Sequence, residues 1–127
     1  MYKRQGNSYY DLADWEPSPD NKLLAIAEDF VGRRKNTISI RKNKNGKYLK
    51  DRIDDTNGDI IWSNDNKAIY YIKKDEQTLR EYQVFRHVIG KNAKEDELIY
   101  QEDDEKYSVS LVKVKRGNTY SLLAIVQ

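Results

Sequence analysis

Two stretches that repeat one another decide the fold: residues 18–26 read SPDNKLLAI, and residues 63–71 read SNDNKAIYY. The second stretch follows the first by 45 residues, and residues 37–41 match residues 83–87 at a spacing of 46. A third and shorter copy begins at residue 108. Because a repeat of roughly 40 to 50 residues is typical of propellers and other repeat architectures, the sequence predicts stacked structural units.

Each copy contains four short extended runs that are separated by turn residues. In the second copy they cover residues 59–63, 67–73, 82–89 and 97–101. Runs of about five to eight residues at this spacing indicate antiparallel β-strands, and four of them per repeat indicate a propeller blade. The second run is nearly all apolar and the fourth is mostly polar. That order is expected of a blade that is covered on both faces and exposed at its outer strand.

The sequence therefore predicts an all-β fold of about two and a half four-stranded antiparallel blades. The blade repeats are predicted at residues 15–55, 56–105 and, incompletely, 106–127. Trp15 and Trp62 each precede the Asn- and Asp-rich turn of their copy, and both are expected to pack between blades. The turns themselves are expected to be structural, because Asp and Asn side chains bond to their own backbone.

The composition excludes several classes of function. The 127 residues carry 23 basic and 21 acidic side chains in mixed order, so no basic stripe suggests a nucleic-acid partner. The absence of cysteine excludes disulfides and thiolate metal sites. The longest apolar runs, residues 23–27 and 122–126, are far too short for a membrane span. With no signal region behind Met1, a cytoplasmic location is expected, and the apolar run before Gln127 suggests a chain cut from a longer protein.

Candidate catalytic groups are few. His87 is the only histidine, and it lies within a run that reads as a strand, where a serine–histidine dyad is not expected. The sequence contains no Gly-x-Ser-x-Gly elbow, no glycine-rich phosphate loop and no zinc-binding pattern. We therefore expect no catalytic residue, metal or cofactor within this chain.

Four segments resemble a known family. They are residues 18–34 (SPDNKLLAIAEDFVGRR), 62–66 (WSNDN), 78–87 (TLREYQVFRH) and 96–111 (DELIYQEDDEKYSVSL). Together they resemble the oligopeptidase B, or protease II, branch of the prolyl oligopeptidase family of serine peptidases, and the resemblance extends over residues 9–126. It implies a parent protein whose seven-bladed β-propeller covers an α/β-hydrolase domain with a Ser-Asp-His triad.

The resemblance also implies an activity. Such enzymes cleave short peptides after Arg or Lys, and their propeller acts as a lid and as a filter for substrate size. The hydrolase domain is not in this chain, so the chain alone is expected to be inactive. Its expected partners are that hydrolase domain and short basic peptides. The alternative is a non-catalytic β-propeller that binds other proteins, and a hydrolase domain downstream of Gln127 would decide between the two.

Two groups of candidate site residues follow. In relatives, the loops that lead into inner strands face the hydrolase domain, which here implies a substrate-cavity wall whose carboxylates suit a cationic peptide. The implied wall residues are Asp55, Asn57, Asp103, Asp104 and Tyr107. A second loop, residues 28–34, carries two acids and two arginines that form either a local ion-pair cluster or a domain interface. These four residues are Glu28, Asp29, Arg33 and Arg34.

The third copy of the repeat has only two of its four strands. An incomplete blade leaves a strand edge and an apolar face uncovered, and such surfaces seek partners. We therefore expect the chain to self-associate, with residues 120–126 pairing with another copy. Light scattering at high concentration measures this, and a monodisperse monomer would count against it.

Overall fold

The computed structural model describes residues 10–30, 32, 35–75, 78, 80–116 and 119–127, with the backbone alone for 114–116 and 119–124. In this part of the chain it contains ten β-strands and one 3₁₀ turn, Ala93–Glu95. The strands are β1 (Asp11–Pro17), β2 (Leu23–Asp29), β3 (Asn36–Lys42), β4 (Tyr48–Thr56), β5 (Ile61–Trp62), β6 (Ala68–Lys74), β7 (Glu81–Val88), β8 (Glu97–Gln101), β9 (Val109–Arg116) and β10 (Thr119–Val126). No helix in the described ranges is long and apolar enough to cross a membrane.

The strands group into antiparallel blades. Strands β1 to β4 pair in chain order and form the first blade. In the second blade β6, β7 and β8 pair in order and the short β5 pairs with β6, while β9 and β10 pair with each other in the third. One backbone pair, Thr56 with Lys73, joins the first blade to the second. The predicted all-β fold of partial propeller blades is confirmed.

Apolar side chains from neighbouring blades form the main core. Alternate residues of β2 and β3 point toward the second blade, because successive side chains of a strand point to opposite faces. The first-blade members of this core are Ala25, Ala27, Ile38, Ile40 and Ile53. The second-blade members are Ile60, Trp62, Ile69 and Tyr71.

A second core lies on the other face of the second blade. There Ile72 of β6 and Val84 of β7 pack against Val109 of β9, and all three are at most 1% exposed. Strand β6 is therefore buried on both faces. This explains why its sequence is nearly continuously apolar.

The turn that follows the first strand has the same hydrogen bonds in both complete blades. Ser18 Oγ donates to Asp20 Oδ1 at 2.6 Å, and Asp20 Oδ1 also accepts from the Lys22 backbone N–H at 3.0 Å. The turn at residues 63–67 repeats these contacts at 2.5 Å and 3.0 Å. These hydrogen bonds lower the pKa of Asp20 and of Asp65 below the usual range, with the larger effect from the serine hydroxyl and the next from the backbone N–H. The turns are structural elements, as the sequence predicts.

The two turns also contact each other. The backbone N–H of Asp20 donates to Asn66 Oδ1 across the blade interface at 2.8 Å. Asn66 has a φ of 65°, and Asn21 at the equivalent position of the first turn has a φ of 61°. Asn tolerates this left-handed conformation better than most residues. The turn of one blade therefore binds the equivalent turn of the next.

The two tryptophans have different environments. Trp62 is 4% exposed, and its indole N–H donates to the carbonyl of Glu16 in the first blade at 2.8 Å. Trp15 is 59% exposed. The prediction that both pack between blades is right for Trp62 and wrong for Trp15, because the described residues place no blade over the outer side of β1. Self-association through residues 120–126 stays a prediction.

Candidate functional site

Four connections lie at one end of the blades. Because the strands are antiparallel, β3 begins at the end where β2 stops, and the links from β4 to β5, from β6 to β7 and from β8 to β9 lie there too. We call this end the loop end, and the described residues of its connections are 30, 32, 35, 57–60, 75, 78, 80 and 102–108. The wall residues and the described part of the 28–34 loop, residues 28–30 and 32, therefore lie at the same end of the blades.

Hydrogen bonds join neighbouring connections at the loop end. The hydroxyl of Thr56, at the end of β4, donates to the carbonyl of Asn36 at the start of β3, at 3.1 Å. Asn57 donates its backbone N–H to the carbonyl of Ile72 at 2.9 Å and its side-chain amide to the carboxylate of Glu81. The bond from Thr56 joins β4 to β3 within the first blade, whereas the Asn57 contacts hold the first and second blades together beside the one backbone pair that joins their sheets.

Of the first two wall residues, Asp55 and Asn57, one forms hydrogen bonds within the structure and the other is exposed. Asp55 is exposed, with a φ of 61°. Asn57 is half-buried, and its side chain bonds to the backbone N–H and the carboxylate of Asp59 as well as to Glu81. Partial desolvation raises the pKa of Asp59, and the carboxylates of Glu81 and Asp14 add to the rise while Asn57 opposes it. Asp55 is free to face a ligand, whereas Asn57 supports its loop.

Gly58 makes this loop compact. Its φ is 99°, a conformation that side-chain-bearing residues rarely adopt. A Cβ atom at this position would lie 3.0 Å from the Cβ of Ala13 and 3.0 Å from the side-chain nitrogen of Asn36. Both the backbone conformation and the close approach of the first blade therefore require glycine.

The second group of wall residues lies in one ordered loop, residues 102–107, and Asp103, Asp104 and Tyr107 are all exposed. Asp103 accepts from the side chain of Gln101 at 2.6 Å. The side-chain Oδ1 of Asp104 accepts from the backbone N–H of Lys106 at 3.0 Å. The backbone carbonyl of Asp104 accepts from the backbone N–H of Tyr107 at 3.0 Å. Two carboxylates and one phenol are thus presented to solvent on a backbone fixed by local turns.

The 28–34 loop is described only in part. Glu28 accepts from the hydroxyl of Tyr10 at 2.6 Å, and the buried Asp29 accepts from the backbone N–H of Gly32 at 2.9 Å. Asp29 therefore stabilises the turn itself. Arg33 and Arg34 lie outside the described residues. The choice between an ion-pair cluster and a domain interface stays open.

A separate cavity of about 690 Å³ opens between the inner strands β1, β5 and β9. Its lining includes Glu16, Trp62 and Lys113, and none of the predicted wall residues contributes to it. Within the ranges that the structure describes, no group of three or more His, Cys, Asp or Glu side chains is arranged to hold a metal ion.

Comparison with known proteins decides the family. Residues 4–127 match the model of the prolyl oligopeptidase N-terminal β-propeller domain. The chain belongs to this family. Oligopeptidase B from Leishmania major superimposes on this propeller with a TM-score of 0.85 and 32% identity, over 94% of this chain and 17% of that one. The resemblance to the prolyl oligopeptidase family is confirmed.

Two curated relatives are also similar to this propeller. Dipeptidyl aminopeptidase BI of Pseudoxanthomonas mexicana is 37% identical over 106 residues, which are 84% of this chain and 15% of that protein. Protease 2 of Moraxella lacunata is 28% identical over 113 residues, 87% of this chain and 16% of the relative. The propeller chain thus spans only about a sixth of the length of these relatives.

The single histidine of this propeller lies in a buried polar cluster between blades. His87 is fully buried, and its Nε2 lies 2.6 Å from Asp51 of the first blade while its Nδ1 lies 2.7 Å from Asp96 of the second. Asp51 also accepts from the backbone N–H of Gly90 at 2.7 Å, and Asp96 from the hydroxyl of Tyr71. Both ring nitrogens are engaged by carboxylates, so neither is available to activate a serine.

The donor and acceptor roles in this cluster depend on which atoms of His87 and its two carboxylate partners carry protons. With two N–H groups on the ring, or with one carboxyl protonated, both contacts of His87 are hydrogen bonds. Burial raises the pKa of Tyr71, and the bond to Asp96 raises it further, so the phenol remains a donor. The sequence places His87 in a strand but gives no sign of its partners, which are 36 and 9 residues away.

Proposed function

We propose that this chain is part of the lid and substrate-size filter of a cytoplasmic serine oligopeptidase, whose α/β-hydrolase domain cleaves short peptides after Arg or Lys. The observation that carries the proposal is the similarity to oligopeptidase B from Leishmania major, with 32% identity and a TM-score of 0.85 over 94% of the chain. A second relative, oligopeptidase B from Trypanosoma brucei with covalently bound antipain, has a TM-score of 0.80 and 27% identity.

The charges at the loop end support a basic substrate. Asp55 at the end of β4, and Asp103 and Asp104 on the 102–108 connection, are exposed carboxylates at one end of the blades. A cleft lined by negative charges raises the local concentration of a cationic ligand and its association rate. Partial desolvation raises the pKa of Asp59 at this end, and the carboxylates of Glu81 and Asp14 add a smaller rise.

A second candidate activity is the release of dipeptides from a free amino terminus. It is favoured by one observation, the 37% identity to dipeptidyl aminopeptidase BI of Pseudoxanthomonas mexicana. The two activities differ in the amino terminus that the substrate must present. An endopeptidase accepts a blocked amino terminus, whereas a dipeptidyl peptidase needs a free one.

Three fluorogenic peptides of equal length test these alternatives on the full-length protein. One ends in Arg-Arg with a blocked amino terminus, one ends in Arg-Arg with a free amino terminus, and one is blocked and uncharged. We expect cleavage of both Arg-Arg peptides and little cleavage of the uncharged one. Cleavage of only the peptide with a free amino terminus would favour the dipeptidyl activity. Equal cleavage of all three peptides would contradict the proposed preference for Arg and Lys.

The binding-module alternative is tested by a reagent that labels active serines. A fluorophosphonate probe reacts with the nucleophile of a serine hydrolase, whether or not its substrate is known. We expect the full-length protein to be labelled and this chain alone to remain unlabelled. A full-length protein that is neither labelled nor active on any of the three peptides would overturn the peptidase proposal in favour of a protein-binding propeller.

A further inference from the structure

One arginine at the loop end contacts three carbonyl groups of a single loop. Arg80 Nη1 donates to the carbonyl of Tyr107 at 2.7 Å and to that of Asp104 at 3.2 Å. Its Nη2 donates to the carbonyl of Glu102 at 3.1 Å. All three acceptors belong to the 102–107 loop, which carries three of the predicted wall residues.

Arg80 is itself held in place. Its backbone N–H donates to the hydroxyl of Thr78 at 3.3 Å, and its carbonyl accepts from the backbone N–H of Asp75 at 2.8 Å. Its guanidinium group lies 5.3 Å from the ring centre of Tyr82, within the range of a cation–π contact. The backbone of Arg80 is thus held by its own turn, and the ring of Tyr82 limits the freedom of the guanidinium group, so less side-chain freedom is lost on contact with the loop.

The other hydrogen bonds of the loop are mostly local. Asp104 caps the backbone N–H of Lys106, and the carboxylate of Glu102 accepts from the backbone N–H of Asp104 at 3.0 Å. These bonds shape the loop but do not fix it against the blade. Apart from the backbone pair between Glu102 and Tyr82, the described hydrogen bonds from the loop backbone to the 75–82 region all come from Arg80.

We propose that Arg80 is a positioning residue that holds the 102–107 loop so that Asp103 and Asp104 bind the basic side chains of a peptide substrate. The inference rests on the proposed function. A guanidinium group suits this role because its donors lie in one plane and point in fixed directions, so that three carbonyls of one turn can be bound together. A lysine has its donors on a single nitrogen and cannot reach all three in the same geometry.

The test compares Arg80→Lys and Arg80→Ala with Arg86→Lys in the full-length protein. Arg86 is a matched control on β7, the strand that begins directly after Arg80, and its charge acts on Asp65 at the other end of the blade. Hydrogen exchange of the 102–107 amides reports whether the loop is held. Values of KM and kcat for the blocked Arg-Arg peptide and for the uncharged peptide report whether the held loop binds substrate.

We expect both Arg80 variants to speed exchange in the loop by about tenfold, because its carbonyls lose their partner. We expect KM for the Arg-Arg peptide to rise by about tenfold with kcat unchanged, the size of a modest electrostatic contribution. The uncharged peptide should show no change in KM, and Arg86→Lys should leave all these quantities unaltered.

The contrary outcomes separate the two proposals. If the unmodified protein does not prefer the Arg-Arg peptide, the proposed function fails and the role of Arg80 in substrate binding fails with it. If the preference is present but KM is unchanged in both Arg80 variants, the proposal for Arg80 alone is overturned. Unchanged exchange in the loop would overturn it as well, whatever the kinetics.

Discussion

The first and second blades are two copies of one pattern, and they agree in some features and differ in others. The turns that follow their first strands have the same hydrogen bonds to within 0.1 Å. The tryptophans that precede those turns do not agree, since Trp62 is 4% exposed and Trp15 is 59% exposed. Turn geometry depends on residues close in the chain, whereas burial depends on which blade lies alongside.

The same contrast holds for two polar residues on the third strands. His87 and Arg41 are equivalent in the repeat. The ring of His87 contacts a carboxylate of the neighbouring blade, that of Asp51. The Nε of Arg41 is buried without a hydrogen-bond partner among the described residues. A position in the repeat thus specifies a strand and a face, and the adjacent blade decides what that side chain meets.

The largest effect that would sharpen this comparison is expected at the tryptophans. Trp62→Ala removes a buried indole, and we expect it to lower the free energy of unfolding by about 3 to 5 kcal/mol. Trp15→Ala should lower it by less than about 0.5 kcal/mol, because the side chain is mostly exposed. Urea unfolding of this chain at one protein concentration measures both. Equal losses would mean that Trp15 is also covered in solution.

The next effect is expected at the buried polar cluster. His87→Leu leaves two carboxylates buried without their shared partner, and we expect a loss of about 3 kcal/mol. Arg41→Leu, the matched change in the first blade, should cost less than about 1 kcal/mol. The same urea titration compares them. If the His87→Leu variant is as stable as the unmodified chain, the cluster does not stabilise the contact between blades.

A smaller difference is expected between two glycines with positive φ. Gly58→Ala adds a Cβ only 3.0 Å from Ala13 and Asn36, and we expect a loss of about 2 to 3 kcal/mol. Gly46→Ala, with a φ of 73° and no atom within 4 Å, should cost about 1 kcal/mol from backbone strain alone. Thermal unfolding of both variants gives the difference. If the two losses are equal, the close approach of the first blade to Gly58 has no energetic weight.

The smallest effect is a change in titration. Because the pKa of Asp20 and of Asp65 is lowered in the folded chain, the stability that each contributes is present above the ordinary Asp range. That stability is lost as the pH falls through the folded pKa. Ser18→Ala and Ser63→Ala should each raise the pKa of the adjacent Asp toward its ordinary value. Carboxyl NMR titration measures the shifts, and a change in only one of the two would show that the turns differ.

The sequence predicted the features that local chemistry determines. The turn residues mark the strand ends, and the apolar run of β6 indicates a strand buried on both faces. The sequence did not indicate the supporting role of Asn57, because its partner Glu81 lies 24 residues away. Arg80 was missed for the same reason, since its acceptors lie 22 to 27 residues further along the chain. Contacts between loops depend on how blades stack, and no periodicity in the sequence encodes that.

The contact between the turns of adjacent blades has an evolutionary consequence. The backbone of Asp20 binds the side chain of Asn66, and both residues belong to the same motif in successive copies. At this point of the interface, a blade therefore offers its neighbour the same turn motif that the neighbour carries. A gene segment that encodes such a unit can be duplicated in tandem with this turn contact kept, whereas side chains at positions such as 41 and 87 meet different neighbours. The number of blades in such a propeller can then change by unequal recombination.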